Sequence, residues 1–301
     1  MRRALSIAAP LAALSFVVSC SLFVDLDGLS GEASLDGGDL ANDGGDTGCP
    51  GCETGSDAKA PLEAGVDAGP CPSGLPGPAL VQAAGFCIDA TEVTVAQYKQ
   101  FTSSSGAKSQ PPECSWNNSY APYTSGNNCT ADTSDATKHP NWPASCIDWC
   151  DARAYCAWAG KTMCGAVPSG ETVPFAQATK PGAEWFLACA TTALHPYPTG
   201  DSYDGGCNVY TADAGPRDVA ADPRCVGGYP GIFDLAGNAE EWIAACDDAG
   251  AGDPSQDHCH EGGDAWGYAS NGVAHCDNAD YDTRSTYYFG VGFRCCSPLT
   301  Q

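Results

Sequence analysis

Apolar residues recur three apart at Val95, Tyr98 and Phe101, directly after Thr94. This spacing predicts a short amphipathic helix over residues 94–101 with a threonine N-cap. A broader stripe of Ile147, Trp149, Cys150, Ala154, Tyr155 and Trp158 predicts a second helix over residues 146–158, ended by Gly160. Short apolar runs at 86–88 and 290–295 predict strands. Elsewhere Gly, Pro, Asn and Asp interrupt the chain every few residues, and no period marks a repeat array. The expected fold class is α+β, loop-rich, with little regular secondary structure, in one domain over residues 71–301.

The N-terminus has a different texture. Met1-Arg2-Arg3 is a short basic start, residues 4–18 are mainly apolar, and Val17-Val18-Ser19-Cys20 has the form of a lipoprotein signal box. The apolar run is shorter than the roughly 20 residues that span a bilayer. Residues 1–19 are therefore read as a signal peptide and Cys20 as the acylated residue. Ser21, rather than an aspartate, follows the anchor, which points to the outer membrane. Residues 21–70 hold eleven acidic residues against Lys59 alone, eleven glycines and one aromatic, Phe23. Such a segment buries too little apolar area to offset its ordering entropy, so 20–70 is expected to be a disordered tether. Its root-mean-square reach is roughly 40 Å. Cys49-Pro-Gly-Cys52 within it reads as a local disulfide loop rather than a redox motif, since no βαβ frame surrounds it.

Charge and cysteine content narrow the partners. The 301 residues carry a formal charge of −24, and loss of the leader would remove Arg2 and Arg3 as well. Such a surface repels nucleic acid and anionic head groups and attracts cations, Ca²⁺ among them. Nineteen cysteines suit an oxidising compartment. The eighteen besides Cys20 are an even number, so full pairing is the simplest expectation. Cys295 and Cys296 are adjacent; on a strand they point to opposite faces, so they are expected to bridge different partners.

Four segments, in order, resemble the formylglycine-generating (sulfatase-modifying factor) family. Phe86-Cys-Ile-Asp-Ala-Thr-Glu-Val-Thr94 with Tyr98 and Phe101 is similar to the family's opening D-x-x-E-V-T-x-x-x-Y. Pro143 through Trp149, then Asp151-Ala152, Ala154-Tyr155-Cys156 and Trp158-Ala-Gly-Lys161, resembles P-V-x-x-V-x-W-x-D-A-x-A-Y-C-x-W-x-G-K. Glu184-Trp185 and Tyr197-Pro-Thr-Gly200 continue it after an insertion. Gly231-Ile-Phe-Asp-Leu-Ala-Gly-Asn238 with Glu241-Trp242 is similar to G-L-Y-D-M-x-G-N-x-x-E-W, and Arg284 with Gly292-Phe-Arg-Cys295 to the closing segment. The resemblance implies a fold related to C-type lectins with bound Ca²⁺. It also implies an activity: converting a sulfatase cysteine to formylglycine with O₂ and a copper(I) ion held by two thiolates.

The copper site is where the chain departs from the family. Copper(I) is a soft ion that favours sulfur ligands. The two thiol positions fall near Gly267 and Gly272, and no cysteine occurs between Cys259 and Cys276. Glycine offers no sulfur, so copper is not expected, and Cys276 reads as bridged rather than as a displaced ligand. Calcium is the expected structural ion. By resemblance, one site would use Asp234 with the carbonyls of Leu235, Gly237 and Ala239; a second would use Asn208 and the Val209 carbonyl, completed by Asp213 or Asp218.

Other features read as architecture. Glu92 and Trp242 are taken as structural, and Arg294 as a buried cation whose partner is Asp89 or Glu92. Trp149, Trp158, Trp185 and Trp242 read as core aromatics. His258-Cys259-His260 could place two imidazoles on one strand face, but no carboxylate or thiol is tied to them by recognisable spacing. The favoured reading is a surface-displayed lipoprotein carrying a non-catalytic domain for binding or envelope structure, its protein, peptide or glycan ligand unnamed. The alternatives are a formylglycine-generating oxidase acting on sulfatase cysteines and a lectin-like binder of glycan or peptide.

Overall fold

The computed structural model describes residues 70–105, 110–203, 205–209, 215–267, 275–278 and 280–300. The Cys20 anchor, the acidic segment and the Cys49-Pro-Gly-Cys52 loop lie outside them.

The first helix, α1 (Val95–Ser103), forms where its pattern predicts, and its start is doubly capped. Thr94 accepts from the Gln97 backbone N–H while the Gln97 side chain accepts from the Thr94 N–H, so two amides that the helix leaves unpaired are satisfied. Val95, Tyr98 and Phe101 are its buried face. Helix α2 (Trp149–Trp158) begins three residues later than the predicted start at Cys146, because Asp148 caps it from an extended conformation. A third helix, α3 (Glu184–Ala190), is buried on every side. Having no polar face, it leaves no amphipathic period to detect.

Eight short strands form two four-stranded sheets. The first has the order β1 (Leu80–Gln82), β2 (Phe86–Asp89), β8 (Cys295–Pro298), β3 (Thr162–Met163). The second has the order β6 (Tyr281–Thr283), β5 (His258–Gly262), β4 (Glu240–Cys246), β7 (Val291–Gly292). The single strand expected over 290–295 is therefore two. Residues 291–292 run parallel to β4 in the second sheet, and Cys295 starts an antiparallel strand beside β2 in the first. Phe293 and Arg294 make the crossing, which fastens the two sheets together by their buried side chains.

Two apolar clusters fill the interior, and β4 serves both. Trp242 and Ala244 join Tyr98, Phe101, Trp149, Tyr155 and Phe293 on one side. Ile243 and Ala245 join Phe86, Ile88, Trp185, Ile232 and Leu235 on the other. This alternation is what a strand buried on both faces produces. The core tryptophans Trp149, Trp185 and Trp242 are fully buried, as expected of packing residues, while Trp158 is half-buried against Phe101 and Tyr155.

Eight disulfides staple this framework among the described residues: Cys71–Cys87, Cys114–Cys150, Cys129–Cys146, Cys156–Cys295, Cys164–Cys296, Cys189–Cys276, Cys207–Cys225 and Cys246–Cys259. Cys295 and Cys296 bridge different partners, as the alternation of a strand requires. These two bonds close loops of 139 and 132 residues, the kind of long closure that restricts an unfolded chain most in the loop-entropy account. No helix among the described residues is long and apolar enough to cross a membrane.

Candidate functional site

The chemistry-bearing residues gather around the tight loop between Phe233 and Glu240. Asp234 and Asn238 both have left-handed backbones, with φ of 59° and 70°. Asp and Asn tolerate that region better than most residues because their short side chains bond locally. Here Asp234 Oδ2 accepts from the Ala220 N–H at 2.6 Å. Asn238 is the hub: its Nδ2 donates to Glu92 Oε1 at 3.0 Å, and its Oδ1 accepts from Asn208 Nδ2 at 3.1 Å and from the Arg217 N–H at 2.8 Å. Its backbone N–H donates to the Asn208 carbonyl. The structure thus brings Asn208, Val209, the 234–239 loop and Glu92 into one neighbourhood. Asp218 bonds Asn141 at its rim, and Asp213 lies outside the described residues.

Two buried oxygens here have no hydrogen-bond donor, Asn208 Oδ1 and Glu92 Oε2. Burial, reinforced by the nearby Asp234 carboxylate, holds the Glu92 carboxyl well above its ordinary value. Burial also pushes Asp234 up to about 6. Carboxylate, amide and carbonyl oxygens with spare lone pairs are the donors a hard cation takes, so these residues fit calcium chemistry.

Arg294 has a different partner from either one expected. Its guanidinium is wholly buried, and Nε and Nη2 grip Glu241 at 2.7–2.9 Å. Nη2 also donates to the Phe233 carbonyl and Nη1 to the Asp89 carbonyl. Trp185 Nε1 completes the Glu241 shell at 2.8 Å. The Asp89 side chain is unavailable because Lys161 holds one oxygen and the Cys295 N–H the other. Glu92 faces Asn238 instead, through Oε1. Glu241 is the residue that sequence reasoning missed: it was visible in the Glu241-Trp242 motif, but its counterion lies 53 positions away.

The segment resembling the copper site has other work. A Cβ on Gly262 would stand 2.7 Å from the Trp185 ring, and one on Gly263 2.7 Å from the Leu235 carbonyl. Gly263 also has φ of 81°. These glycines let the strand end pass against the core. Gly267 is described and Gly272 lies outside the described residues. No cysteine falls in the undescribed stretch 268–274, and all sixteen cysteines from Cys71 to Cys296 are bridged. Copper(I) does not fit this donor set, because a disulfide sulfur is not a thiolate. Cys164, Cys296 and Glu184 converge geometrically, but both sulfurs belong to one bridge. His258 and His260 do sit on one strand, where His258 faces Asp247 and His260 donates to the Asp280 carbonyl.

The sulfatase-modifying factor enzyme 1-like domain model matches residues 54–298. Among solved structures the chain is similar to CarF (18% identity over 78% of this chain and 97% of that one, TM-score 0.46) and to PvdO from Pseudomonas aeruginosa (21%, 71% and 80%, 0.47). It is also similar to Treponema denticola variable protein 1 (15%, 71% and 84%, TM-score 0.45). With four ordered motifs, a loop-rich α+β fold and this match over most of its length, the chain belongs to the sulfatase-modifying factor enzyme 1-like (formylglycine-generating) domain family.

Proposed function

We propose that this chain is a surface-displayed lipoprotein whose formylglycine-generating-type domain binds or builds rather than oxidises. The observation that carries the reading is the consumption of every domain cysteine in a bridge, with glycine at Gly267 where the family places a thiol. A cysteine oxidase of this family needs two thiolates on one soft ion, and among the described residues no thiolate is left to supply them. Sixteen coupled cysteines also suit an oxidising compartment, in line with export and lipid attachment at Cys20, followed by the acidic tether. The test is a copper(I) titration of the purified, oxidised chain with X-ray absorption at the metal. The account expects no stoichiometric copper centre with two sulfur ligands. Finding one would overturn the non-catalytic reading.

Calcium is proposed as the structural ion. Asp234 with the carbonyls of Leu235, Gly237 and Ala239 would hold one ion, and Asn208 with the Val209 carbonyl would hold a second. The unpartnered Asn208 Oδ1 supports this. Bound there, calcium would neutralise carboxylates that burial alone destabilises.

A further inference from the structure

The second sheet carries a pocket that the carboxylate network above does not use. It has a volume of about 370 Å³ and is lined by Glu240, Glu261, Asp280, Tyr281, Asp282, Tyr288, Gly290 and Val291. Sheet register explains why its acids meet. Glu240 pairs with Val291, Glu261 with Trp242, and Asp282 with Cys259. Directly paired residues share a face, and so do residues two apart on a strand. Glu240 and Glu261, from neighbouring strands, therefore project to the Trp242 side of the sheet, with Asp282 beside them from β6. Glu240 and Val291 stand at the end where the Gly290 carbonyl accepts the Glu240 N–H.

These acids lack counterions. No lysine, arginine or histidine pairs with Glu240, Glu261, Asp280 or Asp282 among the described residues. Arg284, next along from β6, is turned to Asp257 and the Pro254 carbonyl. Glu261 is only 4% exposed, and its Oε1 is buried with no hydrogen-bond donor. Burial, with Glu240, Asp282 and Asp280 nearby, holds its carboxyl well above the ordinary range. Burial and the same acid group push Glu240 up to about 8. A buried carboxyl oxygen without a donor costs free energy that a cationic donor would recover.

The walls indicate which cation. Three ligating atoms converge within 4.8 Å at one place only among the described residues, and it is elsewhere, at Cys164, Glu184 and Cys296. The pocket acids are spread around a space far larger than a bare ion needs, and of the size small organic groups occupy. Tyr281, 52% exposed, lies at the pocket's edge, its ring packed with Phe175 and His258 on the opposite face of the sheet. Tyr288 and Val291 supply apolar wall for a carbon stem.

We propose that this pocket binds an organic cation, an alkylammonium or guanidinium group such as a basic side chain presents, with Glu261 and Glu240 as its acceptors and Tyr288 and Val291 as its apolar wall. The proposal rests on the binding-module reading above and gives that module a ligand class. Isothermal titration of the full chain with Nα-acetylarginine methylamide and, separately, butylamine tests it, with calcium chloride as a third titrant. Saturable binding of at least one organic cation is expected, weakened about tenfold or more by Glu261→Gln, the loss of a charge-assisted bond. Glu240→Gln, which removes a second acceptor and one of the crowded acids, should weaken it severalfold without lowering the melting temperature. Three results would each overturn the proposal: no saturation by either cation below about 10 mM, equal affinity in both variants, or saturation by calcium alone with the same sensitivity to Glu261→Gln. A sulfur-ligated copper centre would remove the binding-module reading while leaving cation affinity intact, so the two failures are separable.

Discussion

Glu240 and Glu241 are neighbours on one strand, both buried, and they live in opposite electrostatic worlds. Glu241 points to the Ile243 side of the strand, where Arg294 and Trp185 satisfy it with four hydrogen bonds. Glu240 points the other way, into a pocket of like charge, and its carboxyl is held at about 8. A paired buried charge fixes architecture: it locks the crossing between the sheets, and breaking it leaves an uncompensated ion. An unpaired one stores a capacity to bind. The same strand therefore carries, side by side, a buried charge that fixes the fold and one left open to a ligand.

The largest expected effect breaks the paired side. Glu241→Gln leaves the Arg294 guanidinium buried without its counterion and should cost about 3–5 kcal/mol, seen as a lowered denaturant midpoint. Glu240→Gln at the next position should be neutral or stabilising, and equal losses at the two sites would erase the distinction. Next in size, replacing Cys156 and Cys295 together by alanine should cost about 2–4 kcal/mol. A double variant that melts like the parent would show the bridge to be dispensable.

The proposed calcium would act at Asp234 and Asn208. At about 100 times its dissociation constant it should add about 2.7 kcal/mol, and Asp234→Asn should abolish most of that gain; a melting temperature indifferent to chelator would refute the calcium assignment.

The smallest effect is a pH slope. Glu240 and Glu184 are held at about 8 and about 7 in the fold against an ordinary 4.5, both by burial first. Between those limits the folded chain keeps protons that the unfolded chain has released. Stability from these groups is complete below about pH 4.5 and is lost as pH rises toward 8. Calcium-free protein should melt higher at pH 5 than at pH 8, and Glu240→Gln should flatten the difference. A melting temperature that climbs with pH would contradict the assignment.

What the sequence discloses follows physical range. Local signals read well: the Thr94 cap and the apolar spacing after it mark α1. Helix α3 was invisible because burial on all sides leaves no period. The strand over 290–295 was read whole because an apolar run does not show where a chain leaves one sheet for another. The Arg294 partner escapes the sequence for a similar reason. Asp89 lies on the strand beside Arg294, yet only its carbonyl reaches the guanidinium, since Lys161 takes the side chain. Glu240 and Glu261 became a pair only through strand register, which no local pattern specifies. The cysteine count, by contrast, anticipated dense pairing, though not which cysteine meets which.

The central claim is that every cysteine of the domain is a structural bridge, so no thiolate remains for a redox metal. Alkylating the purified chain without reductant and mapping its peptides by mass spectrometry tests this directly. The account predicts no alkylated cysteine from Cys71 to Cys296 and the eight linkages described above. Two alkylated cysteines from the fold, close enough to share one ion, would contradict it.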